Sequence, residues 1–169
     1  YGLTKGQTSP TARTGTRSST HPTGSVLPAL NPLTVTLGVS NVSFVAQTVD
    51  WNPGHMMATL EAAYQHQGFS FVRIIQRCPH FAKGLHDAEQ TNPDSTLYLN
   101  HERGITLPEE QARIYKNRAE HDPSDLVAGV AHATEKELIP IGLFYHDPEC
   151  MRYDDIGAAN IDTTPEHKL

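Results

Sequence analysis

The chain has 169 residues, enough for one domain of ordinary size, and its 37% hydrophobic content is lean but sufficient for a core. A net charge of −6 argues against a nonspecific nucleic-acid binder, and two Cys cannot make a disulfide framework. No apolar run approaches the ~18 residues of a membrane span, and no signal-peptide pattern is seen, so composition points to a soluble, cytoplasmic chain.

In chain order, Asn31-Pro32-Leu33 opens a short predicted helix that runs to Gly38. Ser43–Val49 alternates as a strand. Pro53 starts a helix on which Met56, Leu60, Ala63 and Tyr64 recur at helical spacing, with Gly68 as its stop. Phe69–Ile75 is a β-branched and aromatic run suited to a buried strand, and Cys78-Pro79 follows its carboxyl end. Leu97–Leu99 makes a short strand. Pro108-Glu109-Glu110 and Asp122-Pro123 each place acids where a helix dipole favours them, so both read as helix starts. Ile139–Tyr145 is the last strand. Strands alternating with helices predict an α/β fold with a parallel sheet, whose ligands sit beyond the carboxyl ends of the strands.

Charge divides the chain unequally. Residues 1–49 carry Lys5, Arg13 and Arg17 and no acid, whereas residues 50–169 hold all 19 acids against 10 bases. The lead segment is also rich in Thr, Ser and Gly. It therefore reads either as a flexible polar linker or as a loop that brings N–H groups, hydroxyls and Lys5 to an anion. Its opening on Tyr1, without Met, gives the expectation of an internal segment of a longer protein.

Among single residues, Cys78 is by itself most simply a small buried hydrophobe, and Cys150 has no partner at metal-site spacing. Ten scattered His form no H-E-x-x-H or C-x-x-C…H pattern. No Gly-x-Ser-x-Gly elbow and no acid–base pair is legible.

The order Tyr1-Gly2-Leu3-Thr4-Lys5-Gly6-Gln7-Thr8-Ser9-Pro10-Thr11 resembles the segment after the thiamine-diphosphate motif in beta subunits of 2-oxoacid:ferredoxin oxidoreductases. Asn31-Pro32-Leu33, Gly68-Phe69-Ser70-Phe71-Val72, Gln76-Arg77-Cys78-Pro79, Glu120-His121-Asp122-Pro123-Ser124-Asp125-Leu126 and Pro140-Ile141-Gly142-Leu143-Phe144-Tyr145 extend the resemblance over nearly the whole chain. It implies a parallel-sheet thiamine-diphosphate-binding module, incomplete at its N-terminal side. Residues 1–77 would be the C-terminal part of that domain and 78–169 the C-terminal region of the beta chain.

The activity implied is coenzyme A-dependent oxidative decarboxylation of a 2-oxoacid, of 2-oxoglutarate or pyruvate type, with reduction of ferredoxin. Its cofactors would be thiamine diphosphate, Mg²⁺ and a [4Fe–4S] cluster, and its obligate partner an alpha subunit. By the resemblance, Gly2, Leu3, Thr4 and Lys5 form the loop over the cofactor, Leu3 shapes the substrate pocket, and Lys5 faces the substrate carboxylate or reaction centre. Cys78 becomes the cluster ligand remote from the other three. The family's Gly-Asp-Gly, Asn-Asn and N-terminal Cys-x-x-Cys do not occur here, so side-chain ligands for Mg²⁺ and three cluster cysteines would come from outside these residues. The rival expectations are a cluster-free thiamine-dependent decarboxylase or synthase, and a non-enzymatic anion-binding module.

Overall fold

The structure is a computed structural model that describes residues 6–80 and 83–159. Its elements are α1 (Pro32–Leu37), β1 (Phe44–Val49), α2 (Pro53–Gln65), β2 (Ser70–Ile75), α3 (Asp87–Thr91), a 3-10 turn at Pro93–Ser95, β3 (Thr96–Asn100), α4 (Glu109–Ala112), β4 (Asn117–Glu120), α5 (Leu126–Ala133), β5 (Ile139–His146) and α6 (Tyr153–Ala159).

The strands form one sheet in the order β2-β1-β5-β3-β4. β1 runs parallel to β2, and β3 runs parallel to both β4 and β5, but β1 and β5 are antiparallel. The α/β class is as expected, while the sheet is mixed rather than wholly parallel. Two parallel blocks meet at the β1–β5 seam, where the register shifts between Val45 and Ala46. Both seam strands are buried over most of their length, so their apolar patterns carry no mark of direction.

Alternate residues divide the core into two layers. On one face Val45, Phe71 and Phe144 pack with Leu33 and Leu37 of α1 and Ala133 of α5. On the other, Phe44, Ala46, Leu143 and Val72 meet Ala58, Ala62 and Ala63 of α2. Alanines let α2 lie close to the sheet, and this choice of face leaves Leu60 partly exposed and Tyr64 at 89% exposure. The expected helix is therefore present, from Pro53 to Gln65, but it rests on its small residues rather than on its large apolar ones.

The first helix is capped as its sequence suggests. Asn31 Oδ1 accepts from the Leu33 N–H, and its amide donates to the Ala133 carbonyl at 2.6 Å, tying α1 to α5. The helix expected from Asp122-Pro123 starts later. Asp122 instead takes the Ser124 N–H in a local turn, and Asp125 becomes the N-cap of α5 through the Ala128 N–H. α5 then approaches β5 so closely that a Cβ on Gly129 would lie 2.3 Å from the Phe144 carbonyl oxygen.

The described part of the lead segment is not a linker. Gly15 N donates to Ser25 O, Ser25 N to Thr16 O, Ser19 N to Gly6 O and Leu30 N to Pro10 O, folding residues 6–30 back on themselves. Ala12 is buried beneath this loop.

Candidate functional site

β1 and β2 end side by side at Val49 and Ile75, and the chain leaves both at the same edge of the sheet. The Asp50 N–H continues the ladder to the Ile75 carbonyl at 3.0 Å. The Asp50 carboxylate then takes the Arg77 backbone N–H at 3.2 Å and its Nε–H at 3.1 Å. A charge-assisted clamp of this kind fixes the direction in which residues 76–78 leave the sheet, and so fixes Cys78. Cys78 is half-buried and lines a cleft of about 290 Å³ with Asp50, Arg77, Lys83 and Leu85.

Asn52, two residues beyond Asp50, shows how the opposite side of this edge is locked. Its Oδ1 caps α2 by accepting from the His55 N–H, and its amide donates to the Tyr115 hydroxyl. The Tyr115 ring stacks on Tyr98 with centroids 5.6 Å apart. Beneath them lies His55, 0% exposed, whose Nδ1 is 2.8 Å from the Thr48 hydroxyl. Burial pushes the His55 imidazole down to about 4, so it is neutral at ordinary pH.

Lys83, Gly84 and Leu85 line both the cleft at Cys78 and a larger one of about 740 Å³. That cleft lies between the 6–30 loop, the carboxyl-terminal halves of β1 and β2, the 83–86 loop and the junction of α5 with β5. Gly84 and His86, both in its lining, take left-handed backbone conformations, with φ of +80° and +69°. His86 lies 5.9 Å from Trp51, ring to ring. Burial holds its imidazole below the ordinary value, against the upward pull of Glu89.

Gly2, Leu3, Thr4 and Lys5, to which the family resemblance gives roles toward cofactor and substrate, lie outside the described residues. Gly6, the next in the chain, lines the larger cleft. Cys78 lies beyond the carboxyl end of a strand as expected, whereas Cys150 packs beside Gly68 at the opposite end of β2. At ~3.3 Å per residue, β2 and its flanks hold the two sulfurs on the order of 25 Å apart, too far to share one cluster. Among the described residues no three His, Cys, Asp or Glu side chains are grouped to hold a metal ion. Cys78 is therefore not part of a complete metal site among the described residues. Sequence reasoning missed the Asp50–Arg77 clamp, and it missed Arg73, whose single charge within Phe71-Val72-Arg73-Ile74-Ile75 was the available signal.

Residues 111–159 match the family described as the C terminal of the pyruvate ferredoxin oxidoreductase beta subunit. The chain is 28% identical over its whole length to a 2-oxoacid:ferredoxin oxidoreductase subunit beta of Sulfolobus sp., covering 54% of that protein. Over 52% of the chain it is 41% identical to the 2-oxoglutarate oxidoreductase subunit KorB of Mycobacterium tuberculosis, covering 23% of that subunit. Among solved structures, a 2-oxoglutarate:ferredoxin oxidoreductase from Magnetococcus marinus, with 2-oxoglutarate, coenzyme A and succinyl-CoA bound, superposes with a TM-score of 0.74. It is 30% identical, and the match covers 94% of this chain and 47% of that one. The chain thus spans about half the length of the relatives it matches from end to end. No helix among the described residues is long and apolar enough to cross a membrane.

Proposed function

The chain is related along its whole length to beta subunits of 2-oxoacid:ferredoxin oxidoreductases, and from that premise we propose that it is part of such an enzyme. The reaction is the coenzyme A-dependent oxidative decarboxylation of a 2-oxoacid to acyl-CoA and CO₂, with ferredoxin reduced. The observation that carries this reading is the relationship itself, running from the first residues to the last third of the chain; the position of Cys78 supports it.

In this reading, residues 1–77 complete a thiamine-diphosphate domain, residues 78–169 form the C-terminal region of the beta chain, and an alpha subunit supplies the rest of the active site. When bound, thiamine diphosphate with Mg²⁺ supplies the carbanion chemistry and a [4Fe–4S] cluster carries the electrons to ferredoxin. This chain's residues orient and hold. Gly2, Leu3 and Thr4 line the cofactor and substrate, Lys5 sets a positive charge against the substrate carboxylate, and Cys78 donates one thiolate. The Asp50–Arg77 clamp keeps that thiolate in place. The complex works in the cytoplasm.

The test uses the full reading frame co-expressed with its neighbouring subunit and purified without oxygen. Viologen reduction is followed with 2-oxoglutarate, pyruvate and branched-chain 2-oxoacids, with and without coenzyme A and thiamine diphosphate. Reduction requiring both cofactors, and lost together with iron in Cys78→Ser, is the expected result. Release of CO₂ without viologen reduction, and unaffected by Cys78→Ser, would replace this reading with the cluster-free decarboxylase.

A further inference from the structure

The turn that carries Cys78 is set among opposed charges. Asp50 stands where β1 ends, and its carboxylate takes both the Arg77 backbone N–H and the Nε–H, at 3.2 and 3.1 Å. The Arg77 guanidinium is therefore held in one place, one residue before the thiol. Neither side chain of this pair is fully buried, and ion pairs so placed contribute little to stability. The cleft beside Cys78 is lined by four charged side chains among the described residues, Asp50 and Asp87 against Arg77 and Lys83. Their formal charges cancel.

Cys78 offers the soft thiol donor that an iron–sulfur cluster takes, half-buried beyond a strand end. Reduction adds one negative charge to such a cluster, so fixed charges close to its sulfurs act directly on its potential. A cation favours the reduced form, and an anion opposes it. At an effective dielectric constant of about 20, one unit charge some 10 Å away changes the reduced-to-oxidised ratio more than about tenfold. For one electron, tenfold is a shift of about 59 mV.

We propose, on the reading that Cys78 donates a thiolate to a [4Fe–4S] cluster, that the charges around it, Asp50 and Arg77 foremost, set the potential of that cluster in opposite senses. Arg77 favours the reduced form, and Asp50 cancels that pull. With Arg77 uncompensated, the electron would be held more tightly and passed less readily to ferredoxin. Both residues act through the surroundings of the thiolate and are positioning residues. Lys83 and Asp87, both exposed, repeat the opposition more weakly, because water and salt screen them.

The test uses the full reading frame co-expressed with its neighbouring subunit and purified without oxygen. The cluster is titrated against potential and followed by its EPR signal, with iron content measured in parallel. At the wild-type midpoint potential, Asp50→Asn should raise the reduced-to-oxidised ratio about tenfold or more, a shift of about 59 mV. Arg77→Gln should move it as far the other way. The double variant restores the net charge and should return to within about twofold of wild type, as should Arg77→Lys, which keeps the charge without the planar fork. Single variants that shift in the same direction, or not at all, would overturn the proposal, because a clamp that only shapes the turn has no sign. Where the clamp variants lose iron, the exposed Lys83→Gln and Asp87→Asn decide instead: shifts down and up of about twofold or more support the proposal, and their absence overturns it. A wild-type complex without iron would overturn the cluster reading itself and this proposal with it. A wild-type cluster indifferent to these charges would overturn the proposal alone.

Discussion

His55 offers the sharpest test of the buried architecture. Its ring is enclosed between α2, β1 and Tyr98, with Nδ1 against the Thr48 hydroxyl and Nε2 without a hydrogen-bond partner among the described residues. The folded state holds it neutral with a pKa of about 4, whereas the unfolded chain titrates near 6.5. Protons therefore bind the unfolded state more strongly. The stability present above pH 6.5 falls as pH drops toward 4 and is then constant. Linkage makes the loss about 2 kcal/mol at pH 5 and about 3 kcal/mol once pH is below 4.

His66, His86, His132 and His146 are also held below their ordinary values, so the wild-type curve contains further contributions of the same sign. The variant His55→Gln separates them, because it can still hydrogen-bond Thr48 but cannot titrate. Urea unfolding at pH 7.5, 6.0 and 5.0 should show wild-type losing about 2 kcal/mol more than His55→Gln by pH 5. Parallel curves for the two proteins would refute the reasoning. Should the variant not fold, the ring-proton shifts of wild-type protein supply the answer, and a histidine set titrating entirely near 6.5 would refute it equally.

Four further substitutions test local contacts. Gly129→Ala should destabilise by about 2 kcal/mol, because the Cβ meets the Phe144 carbonyl at 2.3 Å and overpacking outweighs the helix-propensity gain. Gly157→Ala in α6, with nothing within 4 Å, should leave stability unchanged or raise it by up to about 1 kcal/mol, and thermal unfolding of the pair checks the contrast. Asn31→Ala removes both the α1 cap and the bond to Ala133, so a loss of about 1–3 kcal/mol is expected in urea unfolding. Asp50→Ala releases Arg77, and the rate at which iodoacetamide labels Cys78 should rise in the purified chain; an unchanged rate would show that the clamp does not position the thiol.

Local chemistry made much of the molecule legible in one dimension. Asn31-Pro32 and Asn52-Pro53 each place an accepting side chain and a fixed φ at a helix start, and both helices begin there. The apolar runs ending at Val49, Ile75 and His146 are strands because only a paired, buried backbone accommodates them. The Tyr1–Thr11 motif likewise carried a resemblance to beta subunits of 2-oxoacid:ferredoxin oxidoreductases, proteins to which the chain is similar. β4, Asn117–Glu120, was not legible, because an edge strand of polar residues has no apolar pattern and is specified by its pairing with β3.

Other features belong to the tertiary structure alone. The antiparallel seam of β1 with β5 depends on how two parallel blocks meet, and strands buried on both faces read the same in either direction. α2 turned its alanines inward because close approach to the sheet outweighs the burial of Leu60 and Tyr64 at a greater separation. The Asp50–Arg77 clamp and the Arg73–Gln47 pair join residues some 26 positions apart through parallel registration of β1 and β2. Sequence determined which segments become helix or strand and which residues carry charge. Where those charges meet, and which of them are left without a counter-ion, was decided by strand register, which no single segment contains.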